Sequence, residues 1–170
     1  MEKSTLPMIG ITEYIEVENI KLPAKIDTGA ETSAIWASNV KILPDKTLEF
    51  TLFDEKSEHY TGKKIQKKNY GVNIIRSSNG HEQVRYRVQL DVKISGVEFT
   101  TDFTLADRSK NQFPVLIGKI ALSGRFLIDP SKTAIQLAKN PDRTSALERE
   151  FKDDPHKFHD KYKPSLGDKK

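Results

Sequence analysis

Val, Ile, Phe, Tyr and Thr recur in short runs along the chain as far as Leu137, many of them alternating with polar residues. A period of two places successive side chains on opposite faces of a strand, so the pattern predicts a succession of short strands. Met8–Val17 and Ile20–Asp27 read as two strands joined by a tight turn at Glu18-Asn19, and Leu48–Asp54 as another after the turn at Pro44-Asp45. Tyr70–Arg76 and Glu82–Ile94 flank Ser77-Ser78-Asn79-Gly80-His81. Asn79-Gly80 is a strong hairpin signal, because both central residues of a type I′ turn need positive φ. A second hairpin turns at Ser95-Gly96 into Val97–Ala106. Val115-Leu116-Ile117-Gly118 reads as a buried strand ending in glycine, Lys119–Ser123 as one helical turn stopped by Gly124, and Phe126–Asp129 as a further strand. Many short strands with one short helix predict a mainly β protein, a small closed or sandwiched fold.

The pattern changes near Lys139. Residues 139–170 carry mixed charge, three prolines and few large apolar side chains. They read as a polar, mobile tail with a short helix near Ser145–Phe151, capped by Thr144 or Ser145. The expected division is therefore a folded domain over 1–138 and a tail over 139–170.

Composition agrees with one domain plus a tail. Of 170 residues, 36% are hydrophobic and 31% charged, and the mean hydropathy is −0.59, which places part of the chain outside a core. A net charge of +4 permits an acidic partner without requiring one. The absence of cysteine excludes disulfides, thiol nucleophiles and cysteine-based zinc sites. The first residues do not read as a signal peptide, and no run approaches the roughly 18 apolar residues of a membrane span. The expectation is a cytoplasmic protein with no membrane partner.

Most familiar chemistries lack their residues. No HExxH occurs, and His156-x-x-His159 falls in the expected tail, so a solvated pair outweighs a metal site. Gly118-Lys119 lacks the rest of a phosphate loop, and neither GxGxxG nor GxSxG is present. The expectation is no metal and no cofactor. Lys63, Lys64, Lys67, Lys68 and Arg76 form a basic stretch, but charged strand edges are common and no nucleic-acid motif accompanies it, so nucleic acid is set aside.

Asp27-Thr28-Gly29-Ala30 stands out. An Asp at a strand end usually makes a turn. Here it comes after an apolar strand, Leu116-Ile117-Gly118 and a short helical turn lie downstream, and the Ser77–His81 hairpin tip lies between. This arrangement resembles the retropepsin-like aspartic peptidases. Asp27-Thr28-Gly29-Ala30-x-Thr32-Ser33, Ser77-Ser78-Asn79-Gly80, Asp107-Arg108-Ser109, Val115–Gly118 and Gly124–Ser131 together resemble one bacterial branch, the RimB type. That branch is often labelled "ATP-dependent zinc protease" and includes peptidases associated with ribosomal-protein glutamylation. The resemblance covers about Ile11 to Leu137; the "ATP" and "zinc" of the label find no support in these residues.

The resemblance implies a closed β-barrel with one short helix and a flap hairpin. It implies that Asp27, Thr28 and Gly29 are catalytic. Ala30, Glu31, Arg76, Ser77, Ser78, Asn79 and Gly80 would face substrate, and Leu116, Ile117, Gly118 and Lys119 would support the site. Thr28 would hydrogen-bond to a partner loop. Glu31 departs from the branch, many of whose members carry a basic residue there; Lys119 is its expected ion-pair partner.

Amide hydrolysis without a nucleophilic side chain needs an activated water and a proton for the leaving amine. Two adjacent carboxylates sharing one proton supply both. Gly29 lets the backbone come close, and its amide can donate to Asp27. The chain holds a single Asp-Thr-Gly, so the expectation is a homodimer in which each copy contributes Asp27 across a two-fold axis. The flap would exclude water, although the same residues also suit an ordinary exposed hairpin. The lysine stretch with Arg76, Arg85 and Arg87 would attract acidic, glutamate-rich peptides. The alternative is a catalytically silent binding or dimerisation module on the same fold.

Overall fold

The computed structural model describes residues 5–76, 79–135 and 141–162. The chain divides into two compact units, Met1–Ile135 and Gln136–Lys170. The first holds β1 (Met8–Ile9), β2 (Thr12–Val17), β3 (Ile20–Ile26), β4 (Ser33–Ile42), β5 (Leu48–Leu52), β6 (Lys64–Lys67), β7 (Gly71–Arg76), β8 (Glu82–Ile94), β9 (Val97–Ala106), β10 (Val115–Ile117), α1 (Lys119–Leu122) and β11 (Leu127–Ile128). The second holds α2 (Pro141–Asp153) and α3 (Pro155–Tyr162).

Six strands close on themselves in the order β10-β3-β2-β8-β9-β4, the ring being completed by β4 pairing with β10. This is the mainly β, closed-barrel fold that the sequence predicts. Two hairpins build most of the wall. Between β2 and β3, Glu18 and Asn19 have φ of 48° and 67°, both positive as a type I′ turn requires, and Val17 faces Ile20 across it. Between β8 and β9, Ser95 and Gly96 do the same with φ of 47° and 80°. Alternation then fills the interior: Ile15, Val17, Leu22, Ala24, Val88, Leu90, Val92, Ile94 and Phe103 are buried. β5 and β6 extend the sheet beyond β4, whereas β7 pairs with β8 alone.

Several expectations are corrected. Met8–Val17 is two strands: Gly10 packs against the Lys132 backbone too closely for any side chain, the Ile11 amide donates to Lys132 O at 2.9 Å, and β1 leaves to pair with β11. β4 carries no strand assignment in the sequence reading, yet it pairs with β5, β9 and β10. Its run Ser-Ala-Ile-Trp-Ala-Ser-Asn does not alternate, because it is buried on both faces at its start and shifts register at Asn39, where φ is 52°. The hairpin between β7 and β8 forms, but its register pairs Arg76 with Glu82. A two-residue turn at Asn79-Gly80 would be out of step by one. Gly80 at φ 78° suits the left-handed residue that ends an odd-numbered loop.

In the second unit α2 begins at Pro141, so Thr144 and Ser145 lie inside the helix and do not cap it. Proline is well suited to a first helical turn, where its missing N–H has no partner to lose. α3 starts the same way at Pro155, and Asp154 Oδ1 accepts from the Lys157 amide at 3.0 Å as its N-cap. Phe151 and Phe158 meet edge to face at 5.5 Å, and Lys161 pairs with Glu150. No helix among the described residues is long and apolar enough to cross a membrane.

Candidate active site

β3 ends at Ile26 and β4 begins at Ser33, yet β10 lies between them, parallel to β3 and antiparallel to β4. Residues 27–32 therefore have to cross the end of β10. Val115 and Ile117 of β10 are fully buried, which fixes this three-residue strand in the core. Backbone hydrogen bonds fasten the crossing to the 117–120 segment. The Asp27 amide donates to Ile117 O at 2.9 Å, and the amides of Lys119 and Ile120 donate to the carbonyls of Ala30 and Glu31 at 2.7 and 3.1 Å. The Gly118 amide donates to the buried Ser33 Oγ at 3.0 Å. A Cβ on Gly118 would lie 2.6 Å from the Thr32 carbonyl carbon. Only glycine allows that approach of two backbones.

Asp27 is half-buried at the head of the crossing, and Thr28 and Gly29 are exposed beside it. Asp27 Oδ1 accepts from the Gly29 amide at 3.0 Å and the Ala30 amide at 3.2 Å. Two backbone donors on one oxygen hold the carboxylate in a set orientation. A Cβ on Gly29 would come to 3.3 Å from the same oxygen. Next along the loop, Glu31 Oε2 lies 2.7 Å from Lys119 Nζ, and both side chains are largely exposed. Past α1, Arg125 donates to the carbonyls of Ile120 and Ala121 and stands 4.6 Å over the Phe99 ring.

The other predicted residues divide. Ala30 and Glu31 adjoin Asp27. Leu116, Ile117, Gly118 and Lys119 lie on the segment whose end the Asp27 loop crosses. Arg76, at the end of β7, pairs with Glu82 at 2.9 Å. Asn79 and Gly80 are exposed, and Ser77 and Ser78 lie outside the described residues. The hairpin meets the loop through Asn73, whose Nδ2 is 3.5 Å from Thr32 Oγ1, and Arg87 Nη1 donates to Asn73 Oδ1 at 2.9 Å. Val72, Ile74 and Val84 of the same hairpin are exposed.

Sequence reasoning gives no role to Ser33, Asn73 or Arg108. Ser33 and Arg108 sit in stretches it singles out, but their partners are far away in the chain. Arg108 Nε donates to Phe113 O at 3.0 Å. Burial pushes the Arg108 guanidinium below its ordinary value, Arg85 nearby pushes it further, and Asp27 pushes it back up. Burial lowers Arg85 as well. Among the described residues no group of three His, Asp or Glu side chains is placed to hold a metal ion.

Residues 8–139 match the RimB-like family, described as "Retropepsin-like aspartic endopeptidase RimB". A protein of Desulfotalea psychrophila named "Probable alpha-L-glutamate ligase" is 25% identical over 130 residues, taking in 73% of this chain and 28% of its own length. Its namesake in Shewanella pealeana is 26% identical over 132 residues, 74% of this chain and 29% of its own. The chain thus spans less than a third of the length of these relatives. The crystal structure of Lpg0085 from Legionella pneumophila, titled a protein of unknown function (DUF785), superposes with a TM-score of 0.60 at 23% identity, covering 76% of this chain and 97% of that one. That likeness is one of fold.

Proposed function

The chain belongs to the RimB-like family, and on that footing we propose that it is an aspartic endopeptidase acting as a homodimer. One observation carries the reading: Asp27 stands in an Asp-Thr-Gly loop pinned across the end of β10, its Oδ1 oriented by the Gly29 and Ala30 amides. A second copy brings its own Asp27 to the first, and the two carboxylates keep one proton between them, since like charges at contact cannot both ionise. The ionised carboxylate takes a proton from water, whose oxygen bonds to the scissile carbonyl carbon. The other carboxylate gives its proton to the carbonyl oxygen. Collapse of the tetrahedral species returns that proton to the dyad, breaks the C–N bond, and the amine leaves with the proton first taken from water. The exposed Thr28 is available to bond the partner's loop. The hairpin of β7 and β8, with Asn79 and Gly80 near its tip, covers the bound peptide. The substrate is an acidic, glutamate-bearing peptide: the ligase names of the relatives and the basic stretch before the hairpin support this.

The test is Asp27→Asn on a glutamate-rich peptide. Cleavage is expected to fall by about 10²–10⁴-fold, with the dimer retained in sedimentation. Turnover undiminished by the substitution would overturn the proposal. A second reading, a catalytically silent module, is favoured by the fact that the matched relatives are named ligases and not peptidases. It prevails if no peptide in a broad screen shows turnover that depends on Asp27.

A further inference from the structure

A guanidinium drawn partly out of water normally finds a carboxylate, because an unpaired charge there loses hydration without return. Most arginines of the barrel obey this or stack. Arg76 pairs with Glu82, Arg87 lies 4.0 Å from Asp102, and Arg125 lies over Phe99. Arg85 and Arg108 do not. Both are half-buried. Arg85 donates from Nε and Nη2 to the neutral Gln83 Oε1 at 3.0 and 2.9 Å, and Arg108 Nε to the Phe113 carbonyl at 3.0 Å. Neither has an ion pair among the described residues. They repel each other, and the acid that acts on Arg108 is Asp27.

Their positions place them at the candidate active site. Arg85 faces Asn73 across the β7–β8 ladder, so the two share a face, and Asn73 is the residue that touches Thr32 of the Asp27 loop. β9 runs antiparallel beside β8 with Thr104 opposite Arg87, so Arg108, two residues past the end of β9, emerges at the end of the ladder where Arg85 lies.

Resting on the peptidase reading of Asp27, we infer that Arg85 and Arg108 form a subsite within one protomer that holds a carboxylate of the peptide beside the scissile bond. Two half-buried guanidiniums, held by neutral acceptors and with no ion pair among the described residues, offer a planar fork to a carboxylate. Their pairing with it relieves their mutual repulsion. The carboxylate is either a glutamate or aspartate side chain or the α-carboxylate of a peptide end. The lysines of the 63–68 stretch attract acids diffusely; this pair would fix one.

The test separates binding from turnover by using the full chain with Asp27→Asn. Fluorescence anisotropy at about 0.15 M salt measures a labelled glutamate-rich peptide, the same peptide amidated at its C-terminus, and its glutamine counterpart. The glutamate peptide is expected to bind about tenfold more tightly than the glutamine one. Adding Arg85→Gln or Arg108→Gln should remove that advantage and leave the glutamine peptide within about twofold. Arg108→Lys keeps the charge and should restore part of the preference, which guards against misreading a folding defect at the Phe113 contact. A loss on amidation alone assigns the subsite to the α-carboxylate, and an unchanged value assigns it to side chains. Equal binding of the glutamate and glutamine peptides together with no loss on amidation, or arginine substitutions that weaken all three peptides equally, overturns the subsite. Cleavage that depends on Asp27 with no preference for either kind of carboxylate would leave the peptidase standing and remove the subsite. Preference through the two arginines without any cleavage would do the reverse.

Discussion

The Asp27 loop and the β7–β8 hairpin approach the same site but are held by unlike means. The loop lies between two barrel strands and is fastened to the 117–120 segment by backbone amides and one buried hydroxyl. The hairpin hangs from β8 alone, with Val72, Ile74 and Val84 exposed. One part is over-determined, which suits the fixed carboxylate of the proposed peptidase. The other is drawn from the weakly fastened end of the structure, where parts that open and close are found.

Two glycines break the comparison most sharply. Gly118 has an ordinary φ of −91° but no room for a methyl group. Gly118→Ala should therefore force two backbones apart, with a loss of about 3 kcal/mol and a fall in Tm of about 10 °C, measurable by calorimetry, together with loss of any Asp27-dependent cleavage. Ser33→Ala leaves the buried Gly118 amide without its acceptor and should lower stability by about 1–3 kcal/mol in chemical denaturation. Gly80 is the opposite case: open space around it, but φ of 78°. Gly80→Ala should cost about 1–2 kcal/mol and show itself locally, as faster hydrogen exchange of the β7–β8 amides with little change in Tm. Gly80→Asn should recover part of this, since Asn tolerates the left-handed region.

The smallest effect sharpens the contrast through pH. The backbone bonds tying the loop to the 117–120 segment do not titrate, and the Glu31–Lys119 pair beside them is largely exposed, so acid sensitivity should come mainly from elsewhere in the sheet. Glu49, buried on β5, accepts from Gln66 Nε2 at 2.7 Å and lies 3.2 Å from Lys41 Nζ, and these partners hold its carboxyl below the ordinary glutamate range. A carboxyl lowered in the folded state contributes stability above its unfolded pKa and loses it as pH falls through the folded one. Wild type should thus lose Tm relative to Glu49→Gln below roughly pH 4, with the two curves running parallel above it.

The sequence makes legible what is local. Glu18-Asn19 and Ser95-Gly96 reveal their hairpins, and Val115–Gly118 its buried strand, because turn chemistry and unbroken apolar runs are written in neighbouring residues. Asp27 with Gly29 is legible for the same reason: the amide that orients the carboxylate is two positions away. β4 is hidden because its partners β5, β9 and β10 decide its conformation, and its small residues carry no period of their own. Arg108 is hidden because its significance lies in Arg85 and Asp27, both remote in sequence. The helices of the second unit are half-hidden because their prolines look like breakers until they are seen at first helical positions.

The insertion of β10 between β3 and β4 has a temporal consequence. The loop bearing Asp27 is finished when the chain has reached only Thr32, but its fastening waits for residues 117–120. During synthesis the acid is thus exposed long before it is oriented, and a nascent polypeptide shorter than that carries the signature without the geometry. The order of the strands thus delays the geometry, which is complete only as the last stave of the barrel is driven home.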